Sequence, residues 1–149
     1  MELKETLASV LAGKRREVWS IPPQATVYQA IALMAEKSVG ALLVMSGDHL
    51  DGIISERDYA RKVVLLDKAS RTTLVKEIMS ASVMTVTPDH TINDCLQIMT
   101  KERIRHLPVL EGGRIAGIVT IGDLVKWLAG KQAETIEHLQ AYIAGSYPA

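Results

Sequence analysis

The sequence predicts an α/β (α+β) chain built from two copies of one βαββα unit, packed about a pseudo-twofold axis and flanked by an N-terminal and a C-terminal helix. Three observations carry this reading. Residues 18–58 lie over residues 83–123 at a constant offset of 65 without a gap, and ten of the 41 aligned positions are identical. The identities fall on punctuation: Pro23/Pro88, Thr26/Thr91, Gly47/Gly112, Gly52/Gly117 and Asp58/Asp123 mark the same boundaries in both copies. Between those marks, apolar residues take helical spacing in one stretch and form short strand-like runs around a glycine turn in the next.

Each copy opens on a short extended segment, 18–21 or 84–87, that ends at Pro23 or Pro88. A helix follows from Thr26 or Thr91, both good N-caps, and Thr26 with Gln29 fits a capping box. Val27, Ala30, Ile31 and Met34 in the first copy, and Ile92, Cys95, Leu96 and Met99 in the second, have the i, i+3, i+4, i+7 spacing of one buried face. An apolar strand comes next (41–45; 107–110), then a glycine-bearing hairpin turn, then a return strand (50–54; 115–119). A second helix starts at Ser55 or Thr120 and carries Tyr59, Val63 and Leu66, or Leu124, Trp127 and Leu128. Residues 2–12 read as an amphipathic flanking helix, 67–73 as a polar linker, 75–79 as one helical turn, and 132–144 as a terminal helix. The expected division is 1–13, a flanking helix; 14–69 and 70–130, the repeats; and 131–149, a helix and tail. One unit has too little core to stand alone, so the copies are expected to pack sheet against sheet.

Composition narrows the function classes. Of 149 residues, 48% are hydrophobic, so the chain can bury a core; with no Phe, that core must be Leu, Ile, Val, Ala and Met. Seventeen Lys and Arg balance 17 Asp and Glu, which leaves no net charge to favour nucleic acid or an anionic membrane. No apolar run approaches the ~20 residues of a membrane span, and the first residues lack a signal-peptide core. Cys95 is the one cysteine, so no internal disulfide or Cys-rich zinc site is expected, and the cytoplasm is the expected compartment. The scattered His49, His90 and His138 form no metal set. None of the flanks reads as a catalytic domain.

The segments with chemistry are 52–58, Gly-Ile-Ile-Ser-Glu-Arg-Asp, and 117–123, Gly-Ile-Val-Thr-Ile-Gly-Asp. Each runs off a strand into a helix with a hydroxyl and a carboxylate three residues apart. A helix N-terminus offers free N–H groups and partial positive charge to a phosphate. Ser55 or Thr120 can add a bond to phosphate or ribose, and Asp58 or Asp123 can accept from ribose hydroxyls. Taken alone, either copy reads first as an ordinary capping box, worth ~1 kcal/mol. Capping and ligand binding can share one helix end.

The repeat resembles the CBS domain, and the pair resembles the tandem arrangement called a Bateman module. The likeness spans about residues 14–130. It rests on Val86-Thr87-Pro88 with Thr91, on the strand Ile104-Arg105-His106-Leu107-Pro108-Val109, on the glycine hairpin and on the G-h-h-S/T-x-x-D ending, all in order and duplicated. The Ser55-Glu56-Arg57-Asp58-Tyr59 stretch is similar to small stand-alone bacterial members. The resemblance implies a regulatory, non-enzymatic module that binds an adenosine compound between its repeats: AMP, ADP or ATP, with NAD(H) or S-adenosylmethionine as alternatives. It implies one site of Thr120 and Asp123 with Met79, Met84, Ile104 and Ile118 around the base, closed by Arg105 and His106. It implies another of Ser55 and Asp58 with Lys14, Trp19, Val39, Ala41 and Ile53. Arg57 and His106 are the candidates for phosphate charge, since a guanidinium fork can bond two oxygens.

The first copy departs from the pattern. Gly40, Ala41 and Leu43 stand where the second has Arg105, His106 and Pro108. Unequal sites are therefore expected, and two phosphates facing across the twofold would admit a dinucleotide. Family members pair as dimers through their helices, so a homodimer using Leu124, Trp127 and Leu128 is expected, together with an unidentified protein target. A ligand-free structural dimerisation module is the competing reading. For an enzyme, no nucleophile–base pair or paired acids stand out.

Overall fold

A computed structural model of the chain describes residues 4–13 and 17–131. In chain order the elements are α1 (Leu7–Ala12), β1 (Ser20–Ile21), α2 (Val27–Lys37), β2 (Ala41–Ser46), β3 (His49–Ser55), α3 (Glu56–Tyr59) continued by a π-turn (Ala60–Val64), α4 (Val75–Ile78), α5 (Ile92–Glu102), β4 (His106–Glu111), β5 (Arg114–Thr120) and α6 (Ile121–Lys131). The expected terminal helix over 132–144 lies outside the described residues, as does Lys14.

The βαββα pattern is present twice. Thr26 and Thr91 cap α2 and α5 through reciprocal bonds with Gln29 and Asp94. Both helices end the same way: Ser38 and Arg103 turn left-handed at φ 56° and 55°, and the next N–H, of Val39 or Ile104, reaches back to Met34 or Met99. That closure turns the chain sharply into β2 or β4. The hairpins β2–β3 and β4–β5 pair in equivalent register, each with a bulge at the same place, Val44/Met45 and Val109/Leu110. Gly47 and Gly112 sit at φ 60° in the turns, where a side chain would be strained.

The opening strand differs between copies. Ser20 and Ile21 pair in parallel with Leu43 and Val44, making a three-stranded sheet β1-β2-β3. In the second copy the expected strand over 84–87 shrinks to one bridge, Val86 to Val109, beside the two-stranded β4–β5. Proline accounts for the loss. The Leu43 N–H donates to Trp19 at 3.2 Å, whereas Pro108, at the aligned position, has no N–H to offer Met84. Two bonds remain, Val86 N–H to Pro108 O at 3.1 Å and Leu110 N–H to Val86 O at 2.8 Å.

The repeats exchange their short leading helices. α4, which precedes the second repeat, packs on the first: Val75 and Ile78 join Ile21, Val27, Ala30, Met34, Leu42, Val44, Ile54 and Val63 in one core. α1, which precedes the first repeat, packs on the second: Leu7, Val10 and Leu11 join Val86, Ile92, Cys95, Met99, Leu107, Val109, Val119, Leu124 and Leu128. The exchange repeats bond for bond. Val27 N–H donates to Thr73 O, Val75 N–H to Ala25 O and Lys76 N–H to Pro23 O; likewise Ile92 donates to Glu5, Leu7 to His90 and Ala8 to Pro88. Each incoming segment thereby satisfies orphan N–H groups at the start of the long helix it meets. α1 begins later than expected because Glu5 and Thr6 are spent in this extended pairing, with Thr6 bridging Thr91.

Two further expectations are corrected. The second helix of the first repeat does not run on as an α-helix: after Tyr59 it opens into the π-turn, where Leu65 N–H bonds Ala60 O. The extra residue per turn shifts the face, so Val63 stays buried while Leu66 is 60% exposed beside Val64 and Leu65. In α6, Leu124 and Leu128 are buried in the chain's own core with Trp127 packed against it, and so offer no free dimer face; Ile121 and Val125 are the exposed apolar side chains there.

Candidate functional site

Gly52 marks where one exchanged segment crosses the return strand, and Gly117, at the aligned position, faces Leu11 of the other. Ser80 pairs with Ile53 in both directions, N–H to O at 2.9 and 3.1 Å, which lays residues 79–80 directly over Gly52. A Cβ on Gly52 would come within 2.7 Å of the Ser80 carbonyl oxygen and 2.8 Å of Met79 Sδ. Beyond the crossing the chain becomes one wall of a cleft, whose floor is the β3–α3 junction and whose far side is the α5–β4 junction of the second repeat.

The cleft has a volume of about 530 Å³. Its floor carries Ser55 and Asp58 in a full capping box: Ser55 N–H to Asp58 Oδ2 at 2.9 Å, Ser55 Oγ to the same oxygen at 3.1 Å, and Asp58 N–H to Ser55 Oγ at 3.2 Å. The other carboxylate oxygen, Oδ1, lies 3.3 Å from Lys62 Nζ. Ile53, Ala41, Met84 and Ile104 supply apolar surface, with Met84 40% exposed. Arg57, Arg103, Arg105 and His106 supply cationic and hydrogen-bonding groups, set against Glu56, Asp58 and Glu102. Arg57 Nη1 reaches the Arg103 carbonyl at 3.5 Å, a link from one repeat to the other. Gly40 faces His106: a Cβ there would lie 4.0 Å from the imidazole and 3.3 Å from Glu56 Oε1. The junctions 40–41 and 105–106, equivalent in the repeats, therefore meet at the pseudo-twofold axis. Equivalent backbone bonds hold both: Glu56 N–H to Gly40 O and Ile121 N–H to Arg105 O.

Nine of the sequence candidates share this cleft: Ala41, Ile53, Ser55, Arg57, Asp58, Met84, Ile104, Arg105 and His106. Their grouping differs from the expectation, which divided them between two sites. Met84 and Ile104 lie with Ser55 and Asp58, not with Thr120 and Asp123, because the exchanged segments carry each repeat's opening strand to the other repeat's helix junction. Of the rest, Trp19 and Val39 pack against the first core, and Lys37 Nζ stands 4.3 Å from the Trp19 ring centroid. Met79 packs on the same core and over Gly52. Ile118 pairs with Pro108, and Thr120 and Asp123 form a capping box at 2.9 and 3.1 Å. Shifting by the 65-residue offset turns Met84, Ile104, Ile53, Ser55 and Asp58 into Trp19, Val39, Ile118, Thr120 and Asp123.

Sequence reasoning missed Glu56, Ser80, Ser82, Val83, Glu102 and Arg103 as lining residues. Arg103 had a readable signal, since it follows the last helical residue and takes the left-handed turn. Ser80 and Ser82 had none, because nothing local fixes where a linker crosses.

No group of three His, Cys, Asp or Glu among the described residues could hold a metal ion. On the first hairpin Asp51 bonds both Ser46 and His49, with His49 Nδ1 2.7 Å from Oδ1. Those bonds hold the Asp51 carboxyl below the usual range. The carboxylate stands between hydroxyl and imidazole, so His49 does not meet Ser46 directly as the base of a Ser–His pair would. No helix among the described residues is long and apolar enough to cross a membrane.

Comparison with known proteins agrees with this architecture. The CBS-domain family model matches residues 11–65 and 75–130. The mitochondrial CBS domain-containing protein CBSX3 of Arabidopsis thaliana is 41% identical over 127 residues; the match covers 82% of this chain and 62% of that protein's length. A solved structure of a protein with CBS domains from Burkholderia ambifaria is 48% identical with a TM-score of 0.82, covering 85% of this chain and 96% of that one. The CBS domain pair of the protein MJ0100, solved with 5′-methylthioadenosine and S-adenosyl-L-methionine, shares the fold at a TM-score of 0.74 and 23% identity, covering 85% of this chain and 98% of that one.

Proposed function

The chain belongs to the CBS-domain family, and on that premise we propose that it is a regulatory module that binds an adenosine compound in the cleft between its repeats. One observation carries the reading: a single cleft joins a Ser55–Asp58 capping box, an apolar slot of Ile53, Ala41, Met84 and Ile104, and Arg57, Arg105 and His106 drawn from both repeats. The slot suits a base. Asp58 suits ribose hydroxyls, and the guanidiniums suit a phosphate. Because lining residues come from both repeats, ligand bound there biases their relative orientation, and a partner protein reads that orientation. The symmetry-related set of Trp19, Val39, Ile118, Thr120 and Asp123, with Lys14, forms the second binding position. AMP, ADP and ATP are the leading candidates. NAD(H) fits because residues 40–41 and 105–106 meet on the axis between both positions. S-adenosylmethionine fits through the bound ligand of the MJ0100 pair. The module performs no catalysis, works in the cytoplasm and pairs with a second copy through the exposed Val64, Leu65 and Leu66, or Ile121 and Val125.

Thermal melts with AMP, ADP, ATP, NADH and S-adenosylmethionine test this. A ligand at ~100 times its Kd stabilises by about 2.7 kcal/mol, and the melting temperature should rise by several degrees. Asp58→Ala should remove the rise from the first cleft. An unchanged rise in that variant overturns the ribose assignment. No rise with any of the five at millimolar concentration leaves the ligand-free dimerisation module.

A further inference from the structure

Lys62 lies in the π-turn of the first repeat, and its ammonium makes two contacts that no single-element role requires. It stands 3.3 Å from Asp58 Oδ1 on the cleft floor and donates to the Ile78 carbonyl at 2.9 Å. Ile78 is the last residue of α4, and the chain beyond it crosses over Gly52, pairs through Ser80 with Ile53 and becomes the cleft wall at Ser80, Ser82, Val83 and Met84. One side chain therefore ties the carboxylate on the floor to the root of the wall. Asp58 Oδ2 is already committed to the Ser55 N–H and hydroxyl, so Lys62 is what fixes the remaining oxygen.

The second repeat has a different residue at this place. Trp127 occupies the position aligned with Lys62, and α6 runs through as an α-helix where the first repeat opens into its π-turn. Departures of this kind inside a helix recur at functional sites. An ordinary i,i+4 surface pair would need only the Asp58 contact; the reach to Ile78, 16 residues away, joins two elements.

We propose that Lys62 is a positioning residue of the first cleft, holding the Asp58 carboxylate and the inter-repeat crossing in one geometry so that occupancy of the floor and placement of the wall are coupled. This rests on the reading of the cleft as an adenosine-compound site. Lys62 acts through Asp58 and the crossing segment, and it gives the first cleft a link to the segment that leads into the neighbouring repeat. Its side chain is 42% exposed, so solvent screens the ion pair and a moderate effect is expected.

The test uses the full chain and three forms: unaltered, Lys62→Met and Lys62→Arg. AMP titration is followed by calorimetry. Amide hydrogen exchange is followed at Ser80 and Ile53, with Leu110, whose N–H bonds Val86 in the other repeat, as internal reference. Lys62→Met should weaken AMP binding about 5-fold and speed exchange at Ser80 and Ile53 about 5-fold relative to Leu110, and Lys62→Arg should restore both. Unchanged affinity in Lys62→Met, or unchanged exchange at the crossing, overturns the proposal. An unaltered chain that binds no AMP or other adenosine compound overturns the site reading and the ligand coupling with it; the exchange arm still decides whether Lys62 clamps the crossing.

Discussion

The first repeat has a three-stranded sheet, a π-turn and a glycine pressed against its neighbour's linker. The second has a two-stranded sheet with one bridge, an unbroken α6 and a glycine whose nearest described neighbour is the tip of Leu11. Their frames nevertheless coincide in caps, left-handed helix ends, bulges and the bonds to the exchanged helices. Among the aligned pairs that differ, 40/105 and 41/106 line the cleft, 43/108 decides the pairing of the opening strand, and 62/127 sets a lysine beside Asp58. A duplicated fold can thus keep every boundary signal while its two halves present different chemistry to the space between them.

The largest expected break in that comparison is at the crossing glycines. Gly52→Ala places a methyl 2.7 Å from a backbone carbonyl that is itself held by the Ser80–Ile53 pair, so the segment must shift. A loss of about 2–4 kcal/mol is expected in urea denaturation. Among the described residues Gly117→Ala meets the tip of Leu11, at 3.3 Å, and should cost under ~1 kcal/mol because that side chain can turn. Equal costs would mean that the two crossings are packed alike.

The caps give a smaller, pH-dependent contrast. Thr26→Ala and Thr91→Ala should each cost about 1 kcal/mol at neutral pH. Their partners differ, however: Gln29 carries no charge, whereas the Thr91 N–H and hydroxyl hold the Asp94 carboxyl below its ordinary 3.8. A carboxylate depressed on folding stabilises above pH 3.8, and that contribution is lost as pH falls through the lower folded value. Denaturation at pH 7 and near pH 3 should therefore show the Thr91→Ala cost shrinking in acid while the Thr26→Ala cost holds.

The smallest contrast is Cys95, aligned with Ala30 and, like it, fully buried. Burial pushes its thiol from 9.0 to about 11. The neutral thiol is the form the core favours, so its contribution is complete below pH 9.0 and is lost as pH rises toward 11. At pH 8 a thiol reagent should label the native chain no faster than it unfolds. Rapid labelling would show that this part of the second core is open where the first is closed.

Much of the frame was legible in the sequence because it rests on local signals. Thr26 and Thr91 announce helix starts, Gly47 and Gly112 announce turns, and Pro23 and Pro88 end the opening segments. Three features escaped. The apolar face of residues 7–11 is readable, but periodicity does not say which repeat it covers. The helix exchange, and with it the regrouping of Met84 and Ile104 with Ser55 and Asp58, is a tertiary choice that local spacing leaves open. The π-turn adds one residue to a turn without altering the residue types around it, which misplaced Leu66. The effect of Pro108 needed its partner: its missing N–H matters only because Trp19 shows, in the other repeat, what such a donor would bond.

The exchange of α1 and α4 also sets an order of events for a chain made from its N-terminus. The first repeat closes as soon as residues 75–78 are made. Leu7, Val10 and Leu11, synthesised long before, must wait for α5, β4, β5 and α6 before they find the core they belong to. Until then the growing polypeptide carries an uncovered greasy helix ahead of its first repeat, the kind of surface on which chaperones act. Cutting the chain between the repeats would strand each short helix on the wrong fragment, so the pair, and not the single repeat, is the unit that folds.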